Sequence, residues 1–234
     1  MKTKRLSGKK RREEIIDAAR QVFAEHGFHG TTTRELAGAA CVSEALLFKH
    51  FRSKSAIYKA MLSDCQKSET WSEAYKLLEL PPSTSTLAVM LHFIANMVLT
   101  DDAQMRATHR LMLRSLSEDG DFTRVLLKHV GIDWVAKMNA CVKAARRAGD
   151  LSGPGALLQQ GGWFAQHIML MLGFIHTPAT AVVRYGALRN ALVEEAVVFC
   201  LRGLGFRTEA IARHYNPRAF DLLADKSPSK RMGK

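Results

Sequence analysis

The chain has 234 residues, 47% of them hydrophobic, and a formal net charge of +12. That apolar fraction excludes a largely disordered chain, and the length accommodates a small module plus a larger core. The charge is uneven: residues 1–60 hold 13 Lys/Arg against 6 Asp/Glu, whereas 61–225 hold 17 against 16. Residues 226–234 add 4 basic residues and no acid, a run expected to be a disordered, solubilising tail.

In chain order, residues 1–12 carry seven Lys/Arg and no acid, which predicts a flexible basic arm. A helix is expected from about Arg11 to His26, with Ile15, Ile16, Ala19, Val22 and Phe23 as its apolar stripe and Gly27 as its end. Residues 31–51 then predict two short helices about a tight turn. The first runs from Thr33, its N-cap, to Ala40, with Leu36, Ala37 and Ala40 on one face. The second follows the cap Ser43, with Val42, Leu47 and Phe51 turned inward. Two such helices on a basic segment read as a DNA-binding helix-turn-helix. A fourth helix is expected from Ser53 toward Leu78, stopped by Pro81-Pro82.

The remainder predicts only helices: 86–99, 102–116, a long one over 122–148, then 156–176, 181–204 and 208–215. The fold class is therefore all-α: a three-helix DNA-binding domain over 1–60, then a larger helical domain over 61–225. Trp163–Ile175 is strongly apolar but too short to span a bilayer, so no membrane partner is expected. The first residues lack the apolar segment of a secretory signal. Cys41, Cys65, Cys141 and Cys200 are scattered, which fits reduced thiols and a cytoplasmic location.

On the second short helix, spacing leaves Glu44, Ala45, Leu46, Lys49 and His50 on or near the exposed side. Ala45 allows close approach to a groove, and an exposed Leu46 would pack on thymine methyl groups. Lys49 is a phosphate candidate by charge, and Arg34 reaches either a base or the backbone. The amides after Ser53 offer a further phosphate site.

Gly27-Phe28, Thr31-Thr32, Leu36-Ala37, Ala40, Val42-Ser43, Leu47, His50-Phe51 and Ser53-Lys54 resemble the DNA-binding domain of the tetracycline-repressor (TetR) family over residues 11–60. The resemblance implies a double-stranded DNA operator as partner, a homodimer, and a small-molecule effector. It adds Thr32, His50 and Lys54 as phosphate contacts, so the candidate DNA-binding set is Thr32, Arg34, Ser43, Glu44, Ala45, Leu46, Phe48, Lys49, His50 and Lys54. Three positions depart from the family pattern. Cys41 replaces the usual glycine of the turn, at a cost of roughly 1 kcal/mol if the backbone is left-handed there. Phe48 replaces a tyrosine and loses its hydroxyl. Glu44 stands where basic or small residues are common, able to accept from cytosine or to complement the helix N-terminus.

In the larger domain the resemblance makes the last two long helices the dimer interface, with Trp163, Met171, Phe174, Leu188, Leu192 and Phe199 as candidates. A pocket for a mainly apolar effector is expected among Met90, Phe93, Met97, Met112, Phe122, Trp134, Met138, Phe164 and His167, residues that equally suit an ordinary core. No cofactor or metal is expected, because the histidines show no i, i+4 pair. An enzyme is disfavoured by the lack of Glu-x-x-His pairs, a Gly-rich phosphate loop and a Gly-x-Ser-x-Gly elbow. The reading is a ligand-released dimeric repressor. A DNA-binding structural or cell-division protein on the same fold, without an inducer, is the alternative.

Overall fold

The computed structural model describes residues 7–65, 69–152, 159–180 and 182–219. Every regular element among them is helical: α1 Gly8–Gly30, α2 Thr33–Ala39, α3 Glu44–His50, α4 Lys54–Cys65, α5 Glu69–Glu79, α6 Thr84–Val98, α7 Ala103–Ser117, α8 Asp121–Leu126, α9 Ile132–Arg147, α10 Gly161–His176, α11 Arg189–Gly203 and α12 Thr208–His214. The expected all-α class holds. The C-terminal run 226–234 lies outside the described residues.

Several boundaries move, each for a local reason. Thr32, not Thr33, caps α2, because its hydroxyl accepts from Glu35 N while the Glu35 carboxylate accepts from Thr32 N. Ser7 caps α1, so Lys9–Arg12 are helical and not part of a flexible arm. The helix expected from Ser53 toward Leu78 is described as α4 up to Cys65 and as α5 over Glu69–Glu79, just before the proline pair; residues 66–68 lie outside the described residues. Ser83 caps α6 by accepting from Thr86 N, which starts that helix two residues early. The helix expected over 122–148 is interrupted by a π turn at Leu127–Gly131. The helix expected from residue 181 begins only at Arg189, after the left-handed Gly186.

The chain forms two compact units. The first comprises residues up to Glu73 together with Asp101–Val130; the second comprises Ala74–Thr100 together with residues from Gly131 onward. In the first unit α1 packs against α2, α4 and α7, and α4 against α8. Its core includes Ile15, Phe23, Leu36, Leu47, Ile57, Met61 and Phe122, all essentially inaccessible to solvent. Buried Arg20 ties α1 to α4, donating to Asp17 at 3.4 Å and Asp64 at 3.3 Å. In the second unit α6 packs against α9, α10 and α11 around Leu87, Met90, Met138, Met169 and Val197. Buried Asp150 accepts from Thr84 Oγ1 at 2.6 Å, with His214 Nε2 at 3.3 Å, and so joins α6 to α12.

His109 lies buried on α7, and burial pushes its imidazole pKa down to about 4. The unfolded chain takes up this proton near the ordinary value of about 6.5, which the folded chain resists until about 4. Stability is therefore lost as pH falls through that window, by up to about 3 kcal/mol if the whole shift is expressed. Urea unfolding at pH 7.5 and pH 4.5 should reveal this loss, and His109→Gln should flatten it; an equally steep profile in the variant would assign the loss elsewhere.

Candidate nucleic-acid interface

The reading helix is held by its turn. Cys41 N donates to Gly38 O and Val42 N to Ala37 O, which folds the chain back after α2. This geometry puts Cys41 at φ 51, the one described non-glycine residue in the left-handed region. The departure from glycine noted in the sequence is thus a real backbone strain, borne by an exposed side chain. Ser43 then caps α3, its hydroxyl accepting from Leu46 N at 3.2 Å. Thr33 Oγ1 donates to Glu44 Oε2 at 2.9 Å, so Glu44 braces α2 against α3.

Leu47 anchors α3 completely inside the first unit. At about 100° per residue, Glu44, Phe48, Ala45 and Lys49 form one contiguous arc away from it. All four are exposed, and Phe48, 46% exposed, lies within the arc. Leu46 is half-buried at the edge of the arc and is not its outward apolar residue; that role falls to Phe48. Val42, expected in the core, is also only half-buried. Arg34 and Ser43 are exposed beside the arc, and His50 is half-buried at its end.

Two candidate phosphate contacts are already engaged within the chain. Thr32 Oγ1 donates to Glu35 Oε2 at 2.8 Å and accepts from Glu35 N at 3.2 Å. The Thr32 backbone N–H, which donates to Glu35 Oε2 at 2.7 Å, and then the Thr32 hydroxyl hold the Glu35 carboxyl below its ordinary pKa. Lys54 Nζ donates to Phe28 O at 2.7 Å and Thr31 O at 2.8 Å, and sits 4.5 Å from the Phe28 ring centroid. Lys54 is thus a structural clamp on the chain between α1 and α2.

Sequence reading missed the start of α1 as part of this face. Gly8 approaches the His50 ring, since a Cβ there would meet His50 Cε1 at 4.0 Å. Arg12 donates to His50 O at 3.0 Å and lies over the Phe51 ring at 4.0 Å. The exposed Lys9 and Lys10 therefore extend the basic surface beyond the C-terminal end of α3. The only sequence signal was the Ser7 cap, hidden within a run of lysines.

The second unit separates residues that the sequence grouped. Met90 and Met138 are fully buried there, Phe93 stacks obliquely on Trp134 at 5.9 Å, and Met97 is half-buried. Met112 and Phe122 instead belong to the first unit, where Phe122 meets Tyr58 at 6.3 Å. Phe164 and His167 are exposed, so neither lines an internal pocket of this chain. Of the expected interface residues, Met171, Leu188 and Phe199 are exposed, and Trp163 and Phe174 are half-buried. Leu192 points into the second unit at 9% exposure, because Val193 and Ala196 beside it share that buried face. It is not an outward-facing position.

Two capped short helices about a tight turn, with an exposed reading helix beside the basic start of α1, form a helix-turn-helix DNA-binding domain. Residues 15–61 match the family described as bacterial regulatory proteins, tetR family. An HTH-type transcriptional repressor of Mycobacterium tuberculosis is 30% identical over 49% of this chain and 55% of the relative. The HTH-type transcriptional repressor AcnR of Corynebacterium diphtheriae is 29% identical over 51% of this chain and 57% of its own length. The chain thus spans about half the length of the curated relatives it matches. Among solved structures, the fatty acid degradation regulator FadR of Bacillus halodurans superposes with a TM-score of 0.61 over 87% of this chain and 100% of that one, at 15% identity. FadR of Bacillus subtilis, solved in complex with stearoyl-CoA, gives 0.59 over 82% and 98%, at 13% identity. At such identity these structures establish the shared fold. No described helix is long and apolar enough to cross a membrane.

Replacing Lys54 with methionine removes two charge-assisted hydrogen bonds and the contact with the Phe28 ring. The expected cost is about 2–4 kcal/mol of stability, read in urea unfolding without DNA. A residue that served only a phosphate would leave that unfolding curve unchanged.

Proposed function

We propose that the chain is a sequence-specific transcriptional repressor that acts as a homodimer and leaves its operator when a small molecule binds. The observation that carries this reading is the outward arc of α3: Ala45 leaves room for close approach, Phe48 offers an apolar plane, and Lys49 supplies charge. Glu44, Ala45 and Phe48 face base edges, where a phenyl ring suits a thymine methyl group. Lys49, Arg34, Lys9 and Lys10 meet phosphates, joined by the free helix amides after Ser53. His50 and Thr32 complete the phosphate contacts, with Thr32 exchanging its bond to Glu35 for one to DNA.

The dimer reading rests on apolar surface in the second unit. Phe164 and Met171, 56% and 55% exposed, lie on one stripe of α10 with Ile168, and Phe199 on α11 is 64% exposed. Groups of this size on one helix face mark a protein contact. A second copy is the occupant a DNA reader calls for, because two half-sites about one helical turn apart require two-fold symmetry. The effector reading rests on the larger second unit and on the FadR relative that holds stearoyl-CoA. The chain passes directly from α6 in the second unit to α7 in the first, a covalent route for ligand-dependent strain to reach α1. By linkage, an effector that weakens DNA binding by some factor binds the DNA-free protein more tightly by the same factor. The cytoplasm is the compartment where such a regulator meets DNA.

Selection of binding sites from genomic fragments, followed by fluorescence anisotropy, tests the DNA reading. Affinity should fall by orders of magnitude from low to physiological salt if roughly six or more phosphates are engaged. Phe48→Ala should cost about 1–3 kcal/mol and relax one position per half-site, whereas Lys49→Ala should weaken all sequences alike. A Phe48→Ala protein that selects the same motif with the same affinity refutes the assignment.

For the dimer, Phe199→Glu should shift the sedimenting species from dimer to monomer at micromolar concentration and abolish operator binding. Wild-type protein that sediments as a monomer would remove the basis for paired half-sites.

A further inference from the structure

In the second unit three buried side-chain atoms find no partner among the described residues: Trp134 Nε1 on α9, Gln166 Oε1 on α10, and Arg146 Nε, roughly 18 Å along α9 from Trp134. Trp134 is 3% exposed and Gln166 8%. Folded chains seldom leave such atoms unpaired, so Trp134 Nε1 and Gln166 Oε1 each ask for a partner beyond the described residues. The two positions lie on helices that are joined side by side. Asn139 Oδ1 accepts from Gly162 N at 3.2 Å, and a Cβ on Gly162 would lie 3.2 Å from Val135 O, which fixes the start of α10 against α9. Trp134 adjoins Val135, and Gln166 stands one turn beyond Gly162, which puts their Cα atoms at most roughly 17 Å apart.

The surroundings define the chemistry of a guest. Phe93 of α6 lies 5.9 Å from the Trp134 ring. Met90, Met138 and Met169 are fully buried on α6, α9 and α10. The buried residues of these three helices include no Lys, Arg, Asp or Glu. His92, the buried histidine among them, bonds Tyr215 through Nδ1 at 3.0 Å. A charged guest would therefore enter an apolar setting without a counter-ion, at prohibitive desolvation cost. An indole N–H can only donate, so the guest must present an acceptor; the amide oxygen of Gln166 needs a donor.

We propose that α6, α9 and α10 hold a neutral small molecule whose polar head accepts from Trp134 and donates to Gln166, on an apolar body. Primary amides and alcohols have this chemistry; carboxylates do not. The inference rests on the effector reading above and gives that effector its chemical class.

The test uses the full chain, thermal melting and calorimetric titration, with hexanamide to decanamide as probes. The N,N-dimethyl amides keep the acceptor and lose the donor, and the matching carboxylates at neutral pH carry charge. A primary amide should raise the melting temperature, with its dimethyl analogue at least tenfold weaker and its carboxylate silent. Trp134→Phe, which keeps the ring, should weaken both amides at least tenfold. Gln166→Leu should bring the primary amide down to the dimethyl level and leave the dimethyl affinity unchanged. That crossover is not produced by loss of fold, which cooperative melting of each variant checks.

Failure of every amide to bind wild-type protein overturns the proposal, as does equal binding by wild type and both variants, or carboxylates binding as well as amides. Variants that shift the melting of the free protein while no probe binds would assign the two atoms to a buried water and overturn it too. Operator affinity is measured in parallel. Amide binding that leaves operator affinity unchanged counts against the effector reading alone, while operator binding without any amide site counts against this inference alone.

Discussion

The DNA-reading face depends on one corner, the four residues after α1 leaves its axis. Gly27 takes φ 70 and ψ 177, a conformation essentially restricted to glycine, and so ends the first helical run. The corner is then stitched from three directions. Thr31 Oγ1 donates back to Gly27 O at 2.7 Å, Lys54 holds Phe28 O and Thr31 O, and Arg114 donates to His26 O at 3.2 Å. These carbonyls belong to the end of a helix, where backbone acceptors are otherwise unpaired. Cations and a hydroxyl from α4, α7 and the corner itself satisfy them. A shift of the corner carries α2, hence α3, with it.

The same corner explains why α7 and α8 associate with the DNA-binding helices. Glu118 and Arg114 sit where a Gly27 side chain would go, 2.6 Å and 2.9 Å from an ideal Cβ. The absent side chain makes room for an ion pair of α7, with Arg114 Nε donating to Glu118 Oε1 at 2.9 Å. Tyr58 of α4 meets Phe23, Phe28 and Phe122, so α1, α4 and α8 share one aromatic cluster. Burial and the nearby carboxylates of Asp119 and Asp121 keep its phenol protonated. The glycine is required twice here, once by its dihedrals and once by the space above it.

What could be read from the sequence is local, and what could not is tertiary. Ser43, Gly27 and the Pro81-Pro82 break act on their own neighbours, and the strain at Cys41 was signalled by the glycine that the resembling family usually carries at that place in the turn. The N-cap of α2 was misplaced by one residue because Thr32 and Thr33 are chemically alike; only the Glu35 carboxylate distinguishes them. Lys54 looked like a phosphate contact because a lysine after a helix cap is ambiguous. Its real partners lie 23 and 26 positions earlier in the chain. Leu46 and Phe48 are both apolar and two residues apart, so their exposure turns on about 200° of helix rotation, which is set by how Leu47 packs. No pattern within α7 announces that it lies along α1, or that Met112 and Phe122 join the DNA-reading unit.

The division of the chain sets the terms on which a guest in the second unit can act. The two units share three chain crossings, before Ala74, after Thr100 and after Val130. The middle crossing joins α6, whose Phe93 contacts Trp134, to α7, whose Arg114 holds the corner. The last runs through the π turn Leu127–Gly131. A guest that satisfies Trp134 and Gln166 gains most in the arrangement of α6, α9 and α10 that best encloses it. These crossings are the covalent routes open to a displacement of α6 or α9, and within the first unit α7 contacts His26, the residue before the Gly27 corner. Only the difference in guest affinity between two such arrangements can shift DNA binding. Tight binding alone would not suffice; the two orphaned polar atoms supply a reason for that difference, because a hydrogen bond is lost steeply when donor and acceptor move apart.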